Sequence, residues 1–403
     1  MLNVSKIKTD FPIFTKHQDL VYLDSAATSQ TPERVLSAMD AYYRENRANT
    51  HRGAYPLAVR ASKLYETSRA EVARFICAET DEIIFTAGAT HAANMLVRSL
   101  EETLTLGRSN AIVVSVMEHH SIFVPLQQLA KKYKCDFRVI LLGADGNLDK
   151  DEAVRMIDGA AKIVAITSIS NVSGNKNDTR FFSGLAEKAG AVFIVDAAQQ
   201  AGHNPLSVRE TGADFLFFSG HKMCGPTGIG VLWGKKERLL ELKPGYFGGG
   251  AVEEVTERET RFLPPPARFE PGTPNIAGAI GLAEACRYLS ETDIENIREH
   301  SRDLAKKTIS ALKEIPGVTI YGGEGIVSFS LDGVPAHDVA EILVRENIAV
   351  RAGHHCAEPY VRALGFPALT RASFYLYNDE RDVEKLVEGI KKVVQIFSVN
   401  ASA

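Results

Sequence analysis

Short apolar runs alternate with longer amphipathic segments between about residues 80 and 235 of this chain. Many of these runs are apolar on both faces of the strand that they would form, which is typical of strands buried in a parallel sheet. Strands of this kind joined by helices predict an α/β fold. The predicted strands are "EIIFT", "AIVVSV", "FRVILL", "KIVAITSIS", "AVFIVDAA", "DFLFFSG" and "GIGVLWG".

A proline-rich segment, "RFLPPPARFEPGTPN", ends this pattern at residues 261–275. The strand-like and helical segments that follow it predict a smaller α+β domain. We therefore expect a large domain over residues 21–289, built on a mostly parallel seven-stranded sheet flanked by helices, and a small C-terminal domain over residues 290–403. Residues 1–20 are expected to pack on the small domain.

The composition of the 403 residues is that of an ordinary globular protein, with 45% hydrophobic and 24% charged residues. The net charge of -4 and the lack of a basic tract argue against a nucleic-acid partner. No apolar run suggests a membrane span or a secretory signal, so we expect a cytoplasmic protein without membrane contact. The five cysteines are far apart and form no CxxC pair, which argues against a disulfide framework and a thiolate zinc site.

Polar residues follow the predicted strands at the edge of the sheet where open parallel sheets bind their ligands. One strand exit, "AGATHAAN", is a small-residue turn that enters a helix, so its free N–H groups and Thr90 would suit a phosphate. An ordinary capped helix start remains the alternative for this turn. The polar residues at the other exits are His119, His120, Asn171, Asp196, Gln199, Ser219, His221 and Lys222.

Lys222 and Asp196 together predict a pyridoxal phosphate site. A lysine amine forms a Schiff base with this cofactor, and an aspartate keeps its pyridine nitrogen protonated so that the ring accepts electrons. The two residues are 222 − 196 = 26 positions apart, which suits one strand–helix–strand step and places them at neighbouring strand ends. His119 is the candidate to stack on the ring.

The segment "RAGHHCAEP", residues 351–359, has three interpretations: half of a metal site, a thiol nucleophile, or a polar loop without chemistry. A metal site needs a second cluster of ligands. The only candidate, "MEHH" at residues 117–120, has a better use beside the ring. Lys222 and Asp196 therefore favour a nucleophile at Cys356, and we expect no metal.

Motifs spread from residue 22 to residue 378 resemble the group II cysteine desulfurases, of the SufS and CsdA kind. These enzymes form part of the class V aminotransferase-like branch of the fold type I pyridoxal phosphate enzymes. "SGHK" followed by "GPTGIG" is specific to the branch, and "RxGHHC" ahead of "RAS" narrows the resemblance to the desulfurases. The motifs are "YLDSAATSQTP", "THRG", "MEHHS", "SNVSG", "VDAAQ", "FSGHKMCGPTGIGVL", "FEPGTPN", "VRAGHHCAEP" and "RASFYLYN".

The resemblance implies a role for each site residue. Lys222 would bond to the cofactor and shuttle the proton at the substrate α-carbon, and Cys356 would take the substrate sulfur as a persulfide. His119, stacked on the cofactor ring, would be the third catalytic residue. Arg371 would clamp the substrate carboxylate, and Asn171 and Arg351 would also bind the substrate. Arg351 and the neighbouring histidines would favour the Cys356 thiolate. The residues implied to hold the cofactor are Thr90, His119, Asp196, Gln199, Ser219, His221, Lys222 and, from a second subunit, Thr273.

The implied reaction converts L-cysteine to L-alanine and a persulfide, for iron–sulfur cluster or thio-cofactor assembly. It implies a homodimer and a sulfur-acceptor protein, SufE-like or SufU-like. A selenocysteine lyase or a cysteine sulfinate desulfinase remains the alternative, because those leaving groups depart with less help. A non-catalytic metal-binding or scaffold protein is a remote alternative.

We also state expectations for His355, Cys224 and Ala89. His355 is not expected to be the base, because adjacent side chains on an extended segment point to opposite faces. Cys224, two residues after Lys222, departs from the family pattern and is interpreted as a packing thiol, with a second reactive sulfur as the alternative. Ala89 removes a hydroxyl that many relatives place beside the phosphate, for which backbone N–H groups can compensate.

Overall fold

The computed structural model of the chain describes residues 2–50 and 53–401, with the backbone alone for residues 398–401. His51 and Arg52 of the "THRG" motif lie outside the described residues. Within the described ranges, no helix is long and apolar enough to cross a membrane.

The strands, in chain order, are β1 (Val21–Tyr22), β2 (Ile83–Thr86), β3 (Ala111–Ser115), β4 (Asp136–Ile140), β5 (Ala161–Thr167), β6 (Val192–Asp196), β7 (Phe215–Ser219), β8 (Gly230–Gly234), β9 (Val252–Val255), β10 (Thr260–Phe262), β11 (Val318–Gly322), β12 (Ile326–Leu331), β13 (Ile348–Ala349), β14 (Arg351–Gly353) and β15 (Leu369–Ser373).

The α-helices are α1 (Val4–Thr9), α2 (Pro12–Lys16), α3 (Glu33–Ala41), α4 (Pro56–Phe75), α5 (Ala89–Thr103), α6 (His120–Tyr133), α7 (Lys150–Met156), α8 (Thr179–Ala189), α9 (Val208–Thr211), α10 (Lys236–Glu241), α11 (Ile276–Thr292), α12 (Ile294–Lys313), α13 (Ala336–Val344), α14 (Glu358–Ala363) and α15 (Glu380–Ala401). Short 3₁₀ turns lie at Thr80–Glu82, Gly220–Lys222 and Ala267–Phe269, and a π turn at Tyr42–Asn46.

The seven predicted strands form one sheet in the order β2-β8-β7-β6-β5-β3-β4. Strands β3 to β7 pair in parallel, whereas β8 runs antiparallel to both β2 and β7. The predicted α/β fold with a mostly parallel sheet flanked by helices is therefore confirmed.

Alternate residues of the central strands enter two different hydrophobic cores. On β3, Val113 belongs to the larger core, while Ile112 and Val114 belong to the core on the opposite face of the sheet. This follows from the two-residue period of a strand, and it explains why both faces of these runs are apolar. With its faces covered, the sheet leaves the ends of its strands as the place where polar side chains gather.

A second sheet of four strands, in the order β11-β12-β15-β14, is antiparallel throughout. A third hydrophobic core lies under it and includes Leu304, Phe329 and Leu386. The start of the chain also reaches this region, because β1 pairs in parallel with β13. The domain boundaries at residues 289 and 290 remain a prediction.

The N-terminal segment packs through aromatic rings on two parts of the chain. The Phe11 ring centroid lies 5.9 Å from that of Tyr288, on α11, and 5.1 Å from that of Tyr377, which follows β15. The Tyr288 hydroxyl also donates to the Asp10 carboxylate at 2.9 Å.

The sequence did not predict the β9–β10 hairpin or helix α14. The hairpin is largely exposed and its first strand reads "VEEV", so it lacks the apolar face by which a strand is recognised. Helix α14 has only 6 residues, too few for a hydrophobic period to show.

Candidate active site

A cavity lies at the carboxyl edge of the large sheet, where strands β5, β6 and β7 end. It brings together residues that are up to 345 positions apart in the chain, from Ala26 to Arg371 (371 − 26 = 345). The predicted site residues that line it are Thr90, His119, Asn171, Asp196, Gln199, Ser219, His221, Lys222, Arg351 and Arg371.

Lys222 lies in the 3₁₀ turn after β7, and Asp196 is the last residue of the neighbouring strand β6. Burial lowers the pKa of Lys222 to about 8, although the Asp196 carboxylate opposes the shift. One Asp196 oxygen accepts from the Ala198 N–H at 2.9 Å, and burial raises the pKa of this carboxyl above its ordinary value. The site therefore holds a lysine whose amine is readily neutral and an aspartate on the next strand.

His119 is the N-cap of α6, and this role fixes its ring. Its Nδ1 accepts from the Ser121 backbone N–H at 3.0 Å and lies 2.8 Å from the Ser121 hydroxyl. Because Nδ1 is an acceptor, the proton of the neutral ring is on Nε2. Burial, and then the charge of Lys222, lower the pKa of His119 to about 3, so the ring stays uncharged.

The turn before α5 is shaped to receive an anion. Gly88 precedes the helix with φ +146, a conformation that suits glycine, and Ala89 donates its N–H to the Ser219 hydroxyl at 2.7 Å. Thr90 follows at the exposed start of the helix, where backbone N–H groups have no partner within the helix. The Ala89 N–H is thus engaged by Ser219, and this contact ties the start of α5 to the end of β7.

Gln199 and His221 are held by contacts with the segment at residues 26–29. The Gln199 amide donates to the Ala26 carbonyl at 2.8 Å. The His221 carbonyl accepts from the Ser29 N–H at 2.8 Å and from the Thr28 hydroxyl at 3.0 Å. Burial lowers the pKa of His221 to about 4, so its ring is neutral.

Arg371 is 1% exposed and lies on β15. Its Nη1 donates to the Asn171 carbonyl at 2.7 Å, and its Nη2 pairs with the Asp24 carboxylate at 3.0 Å. Its Nε is buried without a hydrogen-bond partner among the described residues. A buried guanidinium N–H that lacks a partner suits an anionic ligand in this cavity.

Cys356 is exposed, while its neighbours Arg351 and His355 line the cavity. The Arg351 Nη2 lies 3.8 Å from the Cys356 Sγ. Arg351 is the register partner of Arg371 on the adjacent strand, so the two guanidinium groups lie on one face of the small sheet. The thiol is therefore placed at the mouth of the cavity, next to a positive charge.

The segment around Cys356 is a turn, and the expectation of an extended chain there was wrong. His355 and Cys356 have φ values of +53° and +57°, and strand β14 ends before them at Gly353. His355 is 3% exposed and its Nε2 donates to the Leu369 carbonyl at 3.0 Å. His355 is thus tied to the backbone instead of being turned away by strand alternation.

The expectation that the neighbouring histidines add positive charge was also wrong for His355. Burial, and then the Arg371 charge, lower its pKa to about 3, so the ring is neutral near pH 7. Arg351 is the cationic group that contacts the Cys356 sulfur.

Thr273 does not line this cavity. It lies on a separate surface depression, together with Asn49, Arg69 and Gly250. The loop that carries it is anchored by Glu270, which accepts from both terminal nitrogens of the buried Arg69, at 2.6 Å and 2.9 Å.

The structure adds residues that the sequence did not single out. Asp24 pairs with Arg371, which is 347 positions away in the chain, and no local sequence pattern predicts this contact. Glu118, within "MEHH", is fully buried under the site; burial raises its pKa to about 8. One of its oxygens accepts from the Thr167 N–H at 2.8 Å and the other has no partner among the described residues.

Cys224 is buried, and burial raises the pKa of its thiol to about 12. A thiol in this state is a poor nucleophile, as the packing interpretation expects. In the part of the chain that the structure describes, no group of three or more His, Cys, Asp or Glu side chains is placed to hold a metal ion.

The chain matches known proteins over almost its whole length. The family model "Aminotransferase class-V" matches residues 21–386. A probable cysteine desulfurase of Halalkalibacterium halodurans is 43% identical, over 98% of this chain and 99% of that protein. One of Streptomyces coelicolor is 40% identical, over 98% of both.

Solved structures of cysteine desulfurases are also similar to this chain. A cysteine desulfurase from Thermococcus onnurineus superposes with a TM-score of 0.93 at 40% identity, over 98% of both chains. The Escherichia coli cysteine desulfurase CsdA superposes with a TM-score of 0.91 at 36% identity, over 98% of this chain and 99% of that one. The chain therefore belongs to the class V aminotransferase family and, within it, to the cysteine desulfurases.

Proposed function

We propose that this chain transfers the sulfur of L-cysteine to Cys356, with pyridoxal phosphate as its cofactor. L-Cysteine and the Cys356 thiol would give L-alanine and a Cys356 persulfide. The carbon–sulfur bond breaks and a sulfur–sulfur bond forms. The electron pair of the broken bond stays with carbon, which takes up a proton, so no other oxidant or reductant is needed. The observation that carries the proposal is one cavity lined by Lys222, Asp196 and Arg371, with an exposed cysteine at its mouth.

The residues of the cavity fit pyridoxal phosphate. Lys222 offers an amine with a lowered pKa that would react with the aldehyde of the cofactor. The Asp196 carboxylate would pair with the pyridine nitrogen of the cofactor. The turn at Gly88 and Thr90, with Ser219 and His221, offers donors for its phosphate. His119 and Gln199 complete the lining around the ring. When bound, the cofactor serves as an electron sink for bonds broken at the substrate α- and β-carbons.

Arg371 would hold the substrate carboxylate. Its Nη1 and Nη2 are engaged by Asn171 and Asp24, which fix the plane of the guanidinium. The buried Nε–H has no partner among the described residues and would be satisfied by a carboxylate oxygen. The contacts with Asn171 and Asp24 leave the guanidinium little freedom to turn, so the cavity is prepared for an α-carboxylate before substrate arrives.

Lys222 would also move the proton at the substrate α-carbon. A base is most effective when its pKa is near the working pH, and burial lowers the pKa of Lys222 to about 8. Among the described residues, no hydrogen bond from its Nζ competes for this role.

Cys356 would attack the substrate sulfur as a thiolate. Its sulfur lies 3.8 Å from the Arg351 guanidinium, and the thiolate is the reactive form of a thiol. Because the side chain is exposed, the persulfide that forms on it would be open to an acceptor thiol from solvent or from another protein.

We also propose a homodimer, since Thr273 lies outside the cavity within its own chain and would serve the phosphate of a second subunit. A SufE-like or SufU-like protein would take the sulfur onward, for iron–sulfur cluster or thio-cofactor assembly. We propose that the protein works in the cytoplasm, where thiols stay reduced, because all five of its cysteines are free.

Cys356→Ala tests the proposal. The variant should keep the yellow colour of the bound cofactor, lose alanine release from L-cysteine, and still release selenide from L-selenocysteine, whose leaving group needs less help. Lys222→Ala should lose the colour, while Lys188→Ala, an exposed residue at the end of α8, should keep it. If Cys356→Ala still turned over L-cysteine, the proposed nucleophile would be wrong.

A further inference from the structure

His120 holds the turn that carries Cys356 at two points. Its backbone N–H, one of the free donors at the start of α6, donates to the Cys356 carbonyl at 2.7 Å. Its imidazole Nε2 accepts from the backbone N–H of Glu358 at 3.1 Å. Glu358 is the first residue of α14, and the N-cap residue Ala357 supplies no side-chain cap. His120 therefore provides the acceptor that this helix start lacks.

The turn needs such support because its backbone is strained. Both His355 and Cys356 are in the left-handed region, with φ values of +53° and +57°, which L residues with a side chain avoid. Such conformations persist only where surrounding contacts enforce them. Here Asn171 Nδ2 donates to the His355 carbonyl at 2.6 Å, and His120 holds the next carbonyl and the N–H of Glu358.

The His120 ring is in the state that this contact requires. Burial lowers its pKa, and the neighbouring His354 opposes the effect of Glu358 on it. A neutral ring that accepts at Nε2 carries its proton on Nδ1. The neighbouring His119 ring, whose centroid is 6.4 Å away, faces the cavity instead. The two adjacent histidines therefore serve different parts of the site.

We propose that His120 is a positioning residue for Cys356: its imidazole fixes the strained turn so that the thiol meets the substrate sulfur. The inference deepens the proposed function and rests on it. It predicts a selective defect, in which sulfur transfer to Cys356 slows while chemistry at the substrate α-carbon does not.

Three variants separate the imidazole from the backbone contact, which every residue at this position can make. His120→Phe keeps a ring but has no acceptor, and His120→Asn is polar but too short to reach the Glu358 N–H. His120→Gln can place its amide oxygen where Nε2 lies. His337→Phe, an exposed histidine on α13, is the matched control.

Two measurements on the holoenzyme are needed for each variant. Rapid quench and mass spectrometry give the rate of persulfide formation on Cys356 with L-cysteine. Exchange of the L-alanine α-hydrogen in D₂O, followed by NMR, reports chemistry that does not involve Cys356. We expect His120→Phe and His120→Asn to slow the first rate about ten- to hundredfold, as for a misplaced reacting group. The exchange rate should stay within about twofold, and His120→Gln should recover most of the loss.

The outcomes are distinct. If wild type forms the persulfide and His120→Phe and His120→Asn form it equally fast, the inference is overturned and the proposed function stands. If the variants slow both rates equally, His120 acts on the cofactor side and the inference is overturned as well. If wild type exchanges the hydrogen but never forms the persulfide, the proposed function fails and the inference with it.

Discussion

Replacement of Arg371 by lysine tests how the cavity recognises its substrate. The guanidinium is 1% exposed, with Nη1 2.7 Å from the Asn171 carbonyl and Nη2 3.0 Å from the Asp24 carboxylate. Its buried Nε–H has no partner among the described residues and is the group proposed to meet the substrate carboxylate. A lysine ammonium is a point charge that cannot keep both protein contacts and also reach a carboxylate from the same side.

The expected loss follows from that geometry. Arg371→Lys removes one charge-assisted hydrogen bond to the substrate, which contributes about 1.5 to 3 kcal/mol. At about 1.4 kcal/mol for each factor of ten, kcat/KM for L-cysteine should fall about 10- to 150-fold. Most of the loss should be in KM, because the carboxylate is bound before and during the reaction.

The assay compares L-cysteine with cysteamine, which lacks the carboxylate. Wild type should prefer L-cysteine, and Arg371→Lys should reduce that preference by the same factor by which kcat/KM for L-cysteine falls. Arg345→Lys, at an exposed helix end, is the control and should change neither value. If Arg371→Lys kept its preference for L-cysteine, another group would bind the carboxylate and the assignment of Arg371 would be refuted.

Two further predictions concern the lysine and the Thr273 loop. Because burial lowers the pKa of Lys222 from 10.5 to about 8, the neutral amine prevails above that pH. Cofactor uptake by the apo-protein, followed by absorbance, should therefore rise through about pH 8 and then level off; a rise that continued beyond pH 10 would contradict this. Glu270→Ala leaves the buried Arg69 with the half-exposed Glu66 as its carboxylate partner, so the free energy of unfolding should fall by about 3 to 5 kcal/mol. Urea unfolding of the holoenzyme, with the exposed Glu257→Ala as control, measures the change. A loss below about 1 kcal/mol would show that the Glu270 carboxylate is not needed to balance the buried Arg69 charge.

The positions of Lys222 and Asp196 could be predicted because they depend on a repeated local pattern. Each buried strand can be recognised in the sequence by apolar residues on both faces, and the residues that follow it lie at the edge of the sheet. The ends of the neighbouring strands β6 and β7 could therefore be predicted to lie together without any knowledge of the loops.

The conformation of the Cys356 turn could not be predicted in the same way. The left-handed backbone of His355 and Cys356 is enforced by Asn171 and His120, which are 184 and 236 residues away from the carbonyls that they hold (355 − 171 and 356 − 120). No residue type within "RAGHHCAEP" predicts a turn at the second histidine. The sequence interpretation therefore treated His355 and Cys356 as part of an extended strand, although the strand ends at Gly353. The ion pair of Asp24 with Arg371 escaped prediction for the same reason.

Mass spectrometry of the Cys356 peptide after brief incubation with one equivalent of L-cysteine is the most direct test of sulfur transfer to Cys356. We expect one added sulfur atom on that peptide, none on the peptide of the buried Cys224, and one equivalent of L-alanine. We expect no added sulfur on this peptide in Lys222→Ala. Alanine formed without sulfur on Cys356, or sulfur carried by another cysteine, would contradict sulfur transfer to Cys356.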